Sequence, residues 1–172
     1  MFYDYIECHF GRVLLGLNDQ AQIMGLWFEG QKYYPKLGRE DIVIPAEGVM
    51  RNLVDQVKDW LEAYLAGLNP PMTFDLNPRG TLFQEEVWKA LQAVAYGQWT
   101  SYGLLAEKIA ASRGLESMSA QAVGGAVGRN PISLLIPCHR VLGGQGQLTG
   151  YAGGLDKKRC FLDIEQIEYR KK

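Results

Sequence analysis

Apolar and polar positions change their spacing as the chain proceeds. Between residues 3 and 28 they fall in short runs of strand character, Tyr3 to His9, Arg12 to Asn18 and Ile23 to Phe28, separated by Gly11 and by Asn18-Asp19. Residues 29–45 are irregular, punctuated by Gly30, Pro35, Gly38 and Pro45. Over residues 47–65 the spacing becomes helical, with Met50, Leu53, Val54, Val57, Leu61, Tyr64 and Leu65 on one stripe and Gly67 as the stop. Asn69-Pro70-Pro71 opens a linker that runs to about Gly80, and a domain boundary is expected at its end, with residues 1–78 before it and 79–172 after it.

The second half begins with a capping box, Thr81 three residues before Gln84, followed by the apolar face Phe83, Val87, Trp88 and Leu91. Gly97 breaks the chain. Ser101 is placed to cap a short helix carrying Leu104, Leu105 and Ile109, and after Arg113-Gly114 a second helix is expected from about Ser117 to Gly128. Two short helices joined by a loop predict a helix-turn-helix. The second of them holds Ala122, Val123, Gly124, Gly125 and Ala126, a smooth face that another backbone can approach, at a cost of about 1 kcal/mol of helix stability per glycine. A last helix is predicted from about Leu155 to Tyr169. The expected fold class is α+β: an N-terminal β-sheet domain with a helix, then a mainly helical domain.

Composition narrows the class. The chain has 172 residues, 47% apolar and 22% charged, as ordinary globular proteins do. No apolar run approaches the roughly 18 residues that span a bilayer, and Met1 to Phe10 lacks the basic and apolar regions of a signal peptide. Three cysteines, Cys8, Cys138 and Cys160, argue against a disulfide framework and for a reducing compartment, cytoplasmic or nuclear. The net charge of −1 conceals an asymmetry. Residues 1–78 hold 6 basic and 11 acidic side chains, residues 79–160 hold 9 and 5, and the tail 161–172 holds 3 of each. The mildly basic second half is compatible with a modest DNA footprint.

The most chemical stretch is Ile136-Pro137-Cys138-His139-Arg140-Val141, entered from Leu134 and Leu135. Thiolate is the nucleophilic form of cysteine, and a neighbouring imidazole helps to form it. Pro137 stiffens the turn that presents the thiol. Adjacent residues on a strand point to opposite sides, so either the chain turns at Cys138 or His139 acts on it through water. The imidazole needs an acid to fix its tautomer, and the last helix offers Asp163, Glu165 and Glu168. Of these, Glu165 shares a side with Leu155, Lys158 and Leu162. Gly150, Tyr151, Gly153 and Gly154 predict a mobile or tightly turned loop nearby, and no P-loop spacing accompanies them.

Taken together, these residues resemble the 6-O-alkylguanine-DNA alkyltransferases. The matching elements are Gly80-Thr81-x-Phe83-Gln84-x-x-Val87-Trp88, Ser101-Tyr102-Gly103, Ala122-Val123-Gly124-Gly125-Ala126, Asn130-Pro131, Ile136 to Val141, and Gly150-Tyr151-x-Gly153-Gly154-Leu155, in unbroken order over about residues 79–166. The resemblance implies a DNA repair protein that flips an alkylated guanine out of the duplex and takes its alkyl group onto its own cysteine in a single turnover. It also implies 4-O-alkylthymine as a second candidate substrate.

By the same resemblance, Cys138 is the acceptor, His139 its base through water, Glu165 the acid that holds His139, and Asn130 the brace of the turn. Tyr102 rotates the nucleotide and offers the leaving guanine a proton. Pro137, Val141, Tyr151, Ala152 and Gly153 would line the base pocket. Gln121, Ala122, Gly124, Tyr102, Arg129 and Arg113 would meet DNA. The partner is double-stranded DNA carrying alkylated guanine, bound by a monomer, with no membrane, cofactor or metal.

Three departures stand out. The family usually has arginine where this chain has Gln121, so flipping is expected to be weaker. The loop from Ala111 to Ser119 is several residues longer than usual and carries Arg113, a candidate phosphate contact or substitute for the missing cation. Ala152 stands where some members have serine, removing one hydrogen bond to the substrate oxygen. Three other readings compete. A lesion-binding relative without transfer would lack Cys138. A Cys-His hydrolase or acyltransferase would need an oxyanion hole. A helix-turn-helix regulator would need Arg, Asn or Gln on its recognition helix, which here is Ala/Gly-rich.

Overall fold

The computed structural model describes residues 1–38, 42–45 and 47–171. It has the α+β class expected from the sequence, and the chain divides into two compact units.

The first unit comprises Met1–Arg79 and Pro131–Leu135. Strands β1 (Phe2–Cys8), β2 (Gly11–Leu17), β3 (Ile23–Phe28) and β4 (Ile42–Val43) form one sheet in the order β3-β2-β1-β4. β1 and β2 pair antiparallel from Cys8 opposite Gly11 to Phe2 opposite Leu17, and Gly11 takes the positive φ of 89° that the tight turn requires. β3 is antiparallel to β2, and β4 runs parallel to β1. The irregular stretch expected at 29–45 therefore contains a short strand, too brief for alternation to reveal.

Every residue from Val13 to Leu17 is buried, so β2 is covered on both faces. Gly25 is needed because Trp27 lies over it: an added Cβ would fall 1.7 Å from the indole. Helix α1 (Val49–Leu65) buries Val54, Val57, Leu61 and Tyr64.

Segment Pro131–Leu135 belongs to this unit through backbone bonds to β3. Leu26 N–H donates to Pro131 C=O and Ser133 N–H to Leu26 C=O, both at 2.9 Å. The Ser133 hydroxyl donates to Gln31 Oε1 at 3.1 Å, and the same oxygen accepts from Phe28 N–H at 2.9 Å.

The second unit comprises Gly80–Asn130 and Ile136–Lys172. Helix α2 (Leu82–Gln92) opens on the expected capping box, with both reciprocal bonds between Thr81 and Gln84 present. A two-residue strand β5 (Thr100–Ser101) pairs parallel with β6 (Val141–Leu142) and sets the start of α3 (Tyr102–Ser112) beside the chain that leaves Arg140. Ser101 caps α3 through Leu104 N–H at 3.1 Å. Helix α4 (Ala120–Gly128) starts later than the sequence reading put it, because Ser119 is the cap, bonded to Ala122 N–H at 3.2 Å.

Trp88 is 2% exposed, and its indole N–H donates to Ala126 C=O at 2.9 Å, joining α2 to α4. Trp88→Phe is expected to cost about 2 kcal/mol through the lost bond and ring volume. It would be read as a lower denaturation midpoint at unchanged m-value.

Helix α5 (Leu155–Ile164) ends five residues before the expected Tyr169, and Glu165 is its C-cap. Gln166 adopts φ 56°, Gln166 N–H reaches Asp163 C=O, and Ile167 N–H reaches Leu162 C=O. This is a Schellman closure with Ile167 and Leu162 in one apolar cluster. No glycine marks it, so apolar spacing alone runs past it.

Candidate active site

Cys138 sits on two successive corners. Pro137 has φ −79° and ψ 60°, and Cys138 N–H bonds back to Ile136 C=O at 2.7 Å, an inverse γ-turn. Cys138–Arg140 then forms one 3-10 turn, closed by Arg140 N–H to Pro137 C=O at 3.0 Å. Of the two alternatives left open by the sequence, the chain does turn at Cys138. Asn130 Nδ2 donates to Ile136 C=O at 2.9 Å and to Cys138 Sγ at 3.1 Å, so one amide ties the end of α4 to the thiol. Cys138 is 4% exposed.

His139 and Glu165 are fully enclosed as side chains, with Nε2 and Oε1 2.6 Å apart. Glu165 also takes Arg140 in a two-point grip, Nε to Oε2 at 2.7 Å and the Arg140 terminal nitrogen to Oε1 at 3.0 Å, and Gly97 N–H at 3.2 Å. Arg140 completes its fork on Val94 C=O at 2.6 Å. A buried carboxylate is tolerable only when paired and bonded in this way. Of the three acids offered by the sequence, Glu165 is the one that meets His139 in this way. Arg140 is the partner that sequence reading missed, although it lay inside the quoted motif.

Protonation follows from these contacts. Burial alone would raise the Glu165 pKa, but the His139 and Arg140 hydrogen bonds bring it down to about 2, so it is an anion. Burial lowers the His139 pKa, against the pull of Glu165 and with help from the Arg140 and Lys158 charges, so the imidazole is neutral. A neutral ring beside an anion donates from Nε2, which makes Nδ1 the acceptor nitrogen of the ring.

Burial raises the Cys138 pKa, while the Asn130 bond, the Lys158 charge and the Tyr151 hydroxyl oppose the rise. The resting group is a thiol, and its anion already has three stabilisers in place.

Lys158 is 0% exposed, and its Nζ donates to Val141 C=O at 2.6 Å and faces Gly150 C=O at 3.5 Å. Burial lowers its pKa to about 8, with Cys138 opposing. It ties the strand leaving the active turn to the glycine loop. Its signal in the sequence was a lysine on the side of α5 shared with Leu162 and Glu165.

Phe161 stands edge-on to both His139 and Tyr151, with ring centroids 5.4 and 6.2 Å away. Tyr151, Ala152 and Gly153 are half-buried in the loop before α5. Tyr102, the first residue of α3, is half-buried, and burial raises its pKa, with the Thr149 bond opposing and the Cys138 charge adding to the rise.

On α4, Gln121, Ala122 and Gly125 are exposed. Gly124 is turned inward, where an added Cβ would meet the Tyr102 ring at 3.4 Å, whereas one on Gly125 or Gly128 would meet nothing. The outward smooth strip therefore includes Gly125 and Gly128, which motif reading alone did not separate from Gly124. Arg129 is the exposed C-cap of α4. Arg113 is committed elsewhere: its guanidinium bonds Glu86 at 2.5 Å and lies over Phe83, 5.3 Å from the ring centre.

The model of the 6-O-methylguanine DNA methyltransferase DNA binding domain matches residues 82–167. A methylated-DNA–protein-cysteine methyltransferase from Methanosarcina barkeri is 39% identical over 172 residues, 99% of this chain and 100% of the relative. One from Mycobacterium tuberculosis is 45% identical over 122 residues, 71% of this chain and 68% of the relative. The crystal structure of Mycobacterium tuberculosis OGT in complex with DNA aligns with a TM-score of 0.79 at 36% identity, over 96% of this chain and 93% of that one.

Proposed function

This chain belongs to the methylated-DNA–protein-cysteine methyltransferase family, and on that premise we propose that it repairs duplex DNA by moving the alkyl group of 6-O-alkylguanine onto Cys138, once per molecule. The observation that carries the proposal is the buried thiol held by Asn130 beside the His139–Glu165–Arg140 array.

His139, acting through water, removes the thiol proton. The sulfur attacks the alkyl carbon, the carbon–O6 bond breaks, and its electron pair stays with guanine. Tyr102 gives guanine a proton, and Cys138 ends as a thioether. A thioether is stable in water, which is why the reaction stops after one cycle. Titrating the protein with duplex carrying 6-O-methylguanine should repair one lesion per molecule and then cease. Continued turnover would contradict the proposal.

Helices α3 and α4 serve as a helix-turn-helix, with the strip Gln121, Ala122 and Gly125 laid against the minor groove. The groove's degenerate code suits a protein that meets lesions in any sequence. Tyr102, Gln121 and Arg129 are the side chains assigned to DNA, while the Arg113 pairing with Glu86 favours a structural role for that residue. Gln121 can hydrogen-bond the orphaned base but brings no cation. Gln121→Arg is expected to speed transfer from duplex by about fivefold, the worth of one added charge-assisted contact of roughly 1 kcal/mol. Single-turnover rates on duplex against single strand check this, and equal rates for the two proteins would count against it.

Among the described residues no helix is long and apolar enough to cross a membrane. We place the protein in the cytoplasm, or in a nucleus where there is one. Three cysteines with no disulfide among them support a reducing compartment. One copy carries every residue named for the reaction, which supports action as a monomer. The lesion-binding alternative is disfavoured by Cys138 itself.

A further inference from the structure

The Thr149 hydroxyl donates to the Tyr102 phenol oxygen at 3.2 Å. The two residues come from separate elements: Tyr102 opens α3, and Thr149 lies in the chain between β6 and α5. A phenol that accepts such a bond keeps its own proton for a different partner.

The contact is built rather than incidental. Thr149 carries two heavy atoms on Cβ, which restricts its rotamers. Its methyl is seated over Gly143, where an added Cβ would stand 2.9 Å from Thr149 Cγ2. With the methyl fixed there, the hydroxyl is turned to Tyr102. The backbone on either side is tied as well: Leu148 N–H bonds Arg170 C=O at 2.8 Å, and Gly150 C=O faces Lys158 Nζ. On the other side of the phenol ring lies Gly124, where an added Cβ would meet the ring edge at 3.4 Å, an ordinary contact. The ring is thus bounded by α4 while its oxygen is held by Thr149.

We infer that Thr149 is a positioning residue for the transfer, holding the Tyr102 oxygen as an acceptor so that the phenol proton is directed to the leaving guanine. The inference rests on Tyr102 being the proton donor, as proposed above. It also fits the electrostatics, since burial raises the Tyr102 pKa and the Thr149 bond opposes that rise.

The test is a set of single-turnover rates on duplex carrying 6-O-methylguanine for Thr149→Val and Thr149→Ser, with the valine change repeated in Tyr102→Phe. Valine keeps the methyl seat and removes the donor, whereas serine keeps the donor. Thr149→Val should slow transfer about fivefold, the worth of one hydrogen bond. Thr149→Ser should restore most of the rate, and Thr149→Val should cause no further slowing in Tyr102→Phe.

Equal slowing by valine in both backgrounds would mean a merely structural loop residue and overturn the inference. So would a wild-type rate for Thr149→Val when Tyr102→Phe is slow. A wild-type rate for Tyr102→Phe itself would remove the donor role of Tyr102 and the inference together, an outcome distinct from the other two.

Discussion

Cys138→Ser should lose alkyl transfer by more than about a thousandfold, as removal of a nucleophile does, while still folding and still binding lesion-bearing duplex. Serine is a poorer nucleophile, and its hydroxyl is far harder to ionise than a thiol whose anion is met by Asn130, Tyr151 and Lys158. The substitution removes little volume from a site 4% exposed, so the turn that carries it should persist. Rapid-quench transfer and gel-shift affinity, measured on one preparation, separate chemistry from binding. Residual transfer within tenfold of wild type would show that another group accepts the alkyl. Neither Cys8 nor Cys160 has comparable surroundings: Cys8 donates to Gly11 C=O at 3.2 Å on a strand end, and burial raises the Cys160 pKa with Asp163 adding to the rise.

Glu165→Gln should affect both rate and stability. The anion is what makes His139 donate from Nε2 and present Nδ1 as a base, and an amide imposes no such tautomer. Loss of the wrong-tautomer kind lowers rates by about 10² to 10⁴-fold. The same change strips Arg140, 12% exposed, of its counter-charge, and breaking one side of a buried pair costs about 3 kcal/mol.

The pH dependence has a definite sign. The folded pKa of Glu165 is about 2 against an ordinary 4.5, so its contribution is fully present above 4.5 and is lost as pH falls toward 2. His139 acts in the same direction. Its folded pKa lies below the ordinary 6.5, so acid favours the unfolded chain, which takes up the proton first. Wild-type stability should therefore fall through this acid range, and Glu165→Gln should flatten the part between 4.5 and 2. Because His139 stays neutral below 6.5, the acid limb of transfer should lie under that value. A Glu165→Gln protein with wild-type rate and midpoint would remove this array from the account.

Much of this was legible beforehand, and the exceptions share a cause. The capping box at Thr81, the stripe of α1 and the Gly67 stop are local signals, written within a few residues of where they act. The close of α5 at Glu165 was not legible, because Gln166 takes a left-handed conformation usually signalled by glycine. Membership of 131–135 in the first unit was hidden for a different reason. It depends on backbone bonds to β3 more than a hundred residues earlier, which no side-chain pattern announces. In the site, the Cys138-His139 pair and the eligible acids could be read from residue type and spacing. The fork of Arg140 on Glu165 and the bond of Thr149 to Tyr102 required the fold, since each is a meeting of separate segments.

Receipt of the alkyl group by Cys138 itself is read by mass. Intact mass is taken after mixing the protein with duplex carrying 6-O-methylguanine, and peptide mapping then locates the change. A gain of one methyl group per molecule is expected, confined to the peptide holding Cys138 and saturating there. No gain despite lesion-specific binding, or a gain mapped to any other residue, would contradict it.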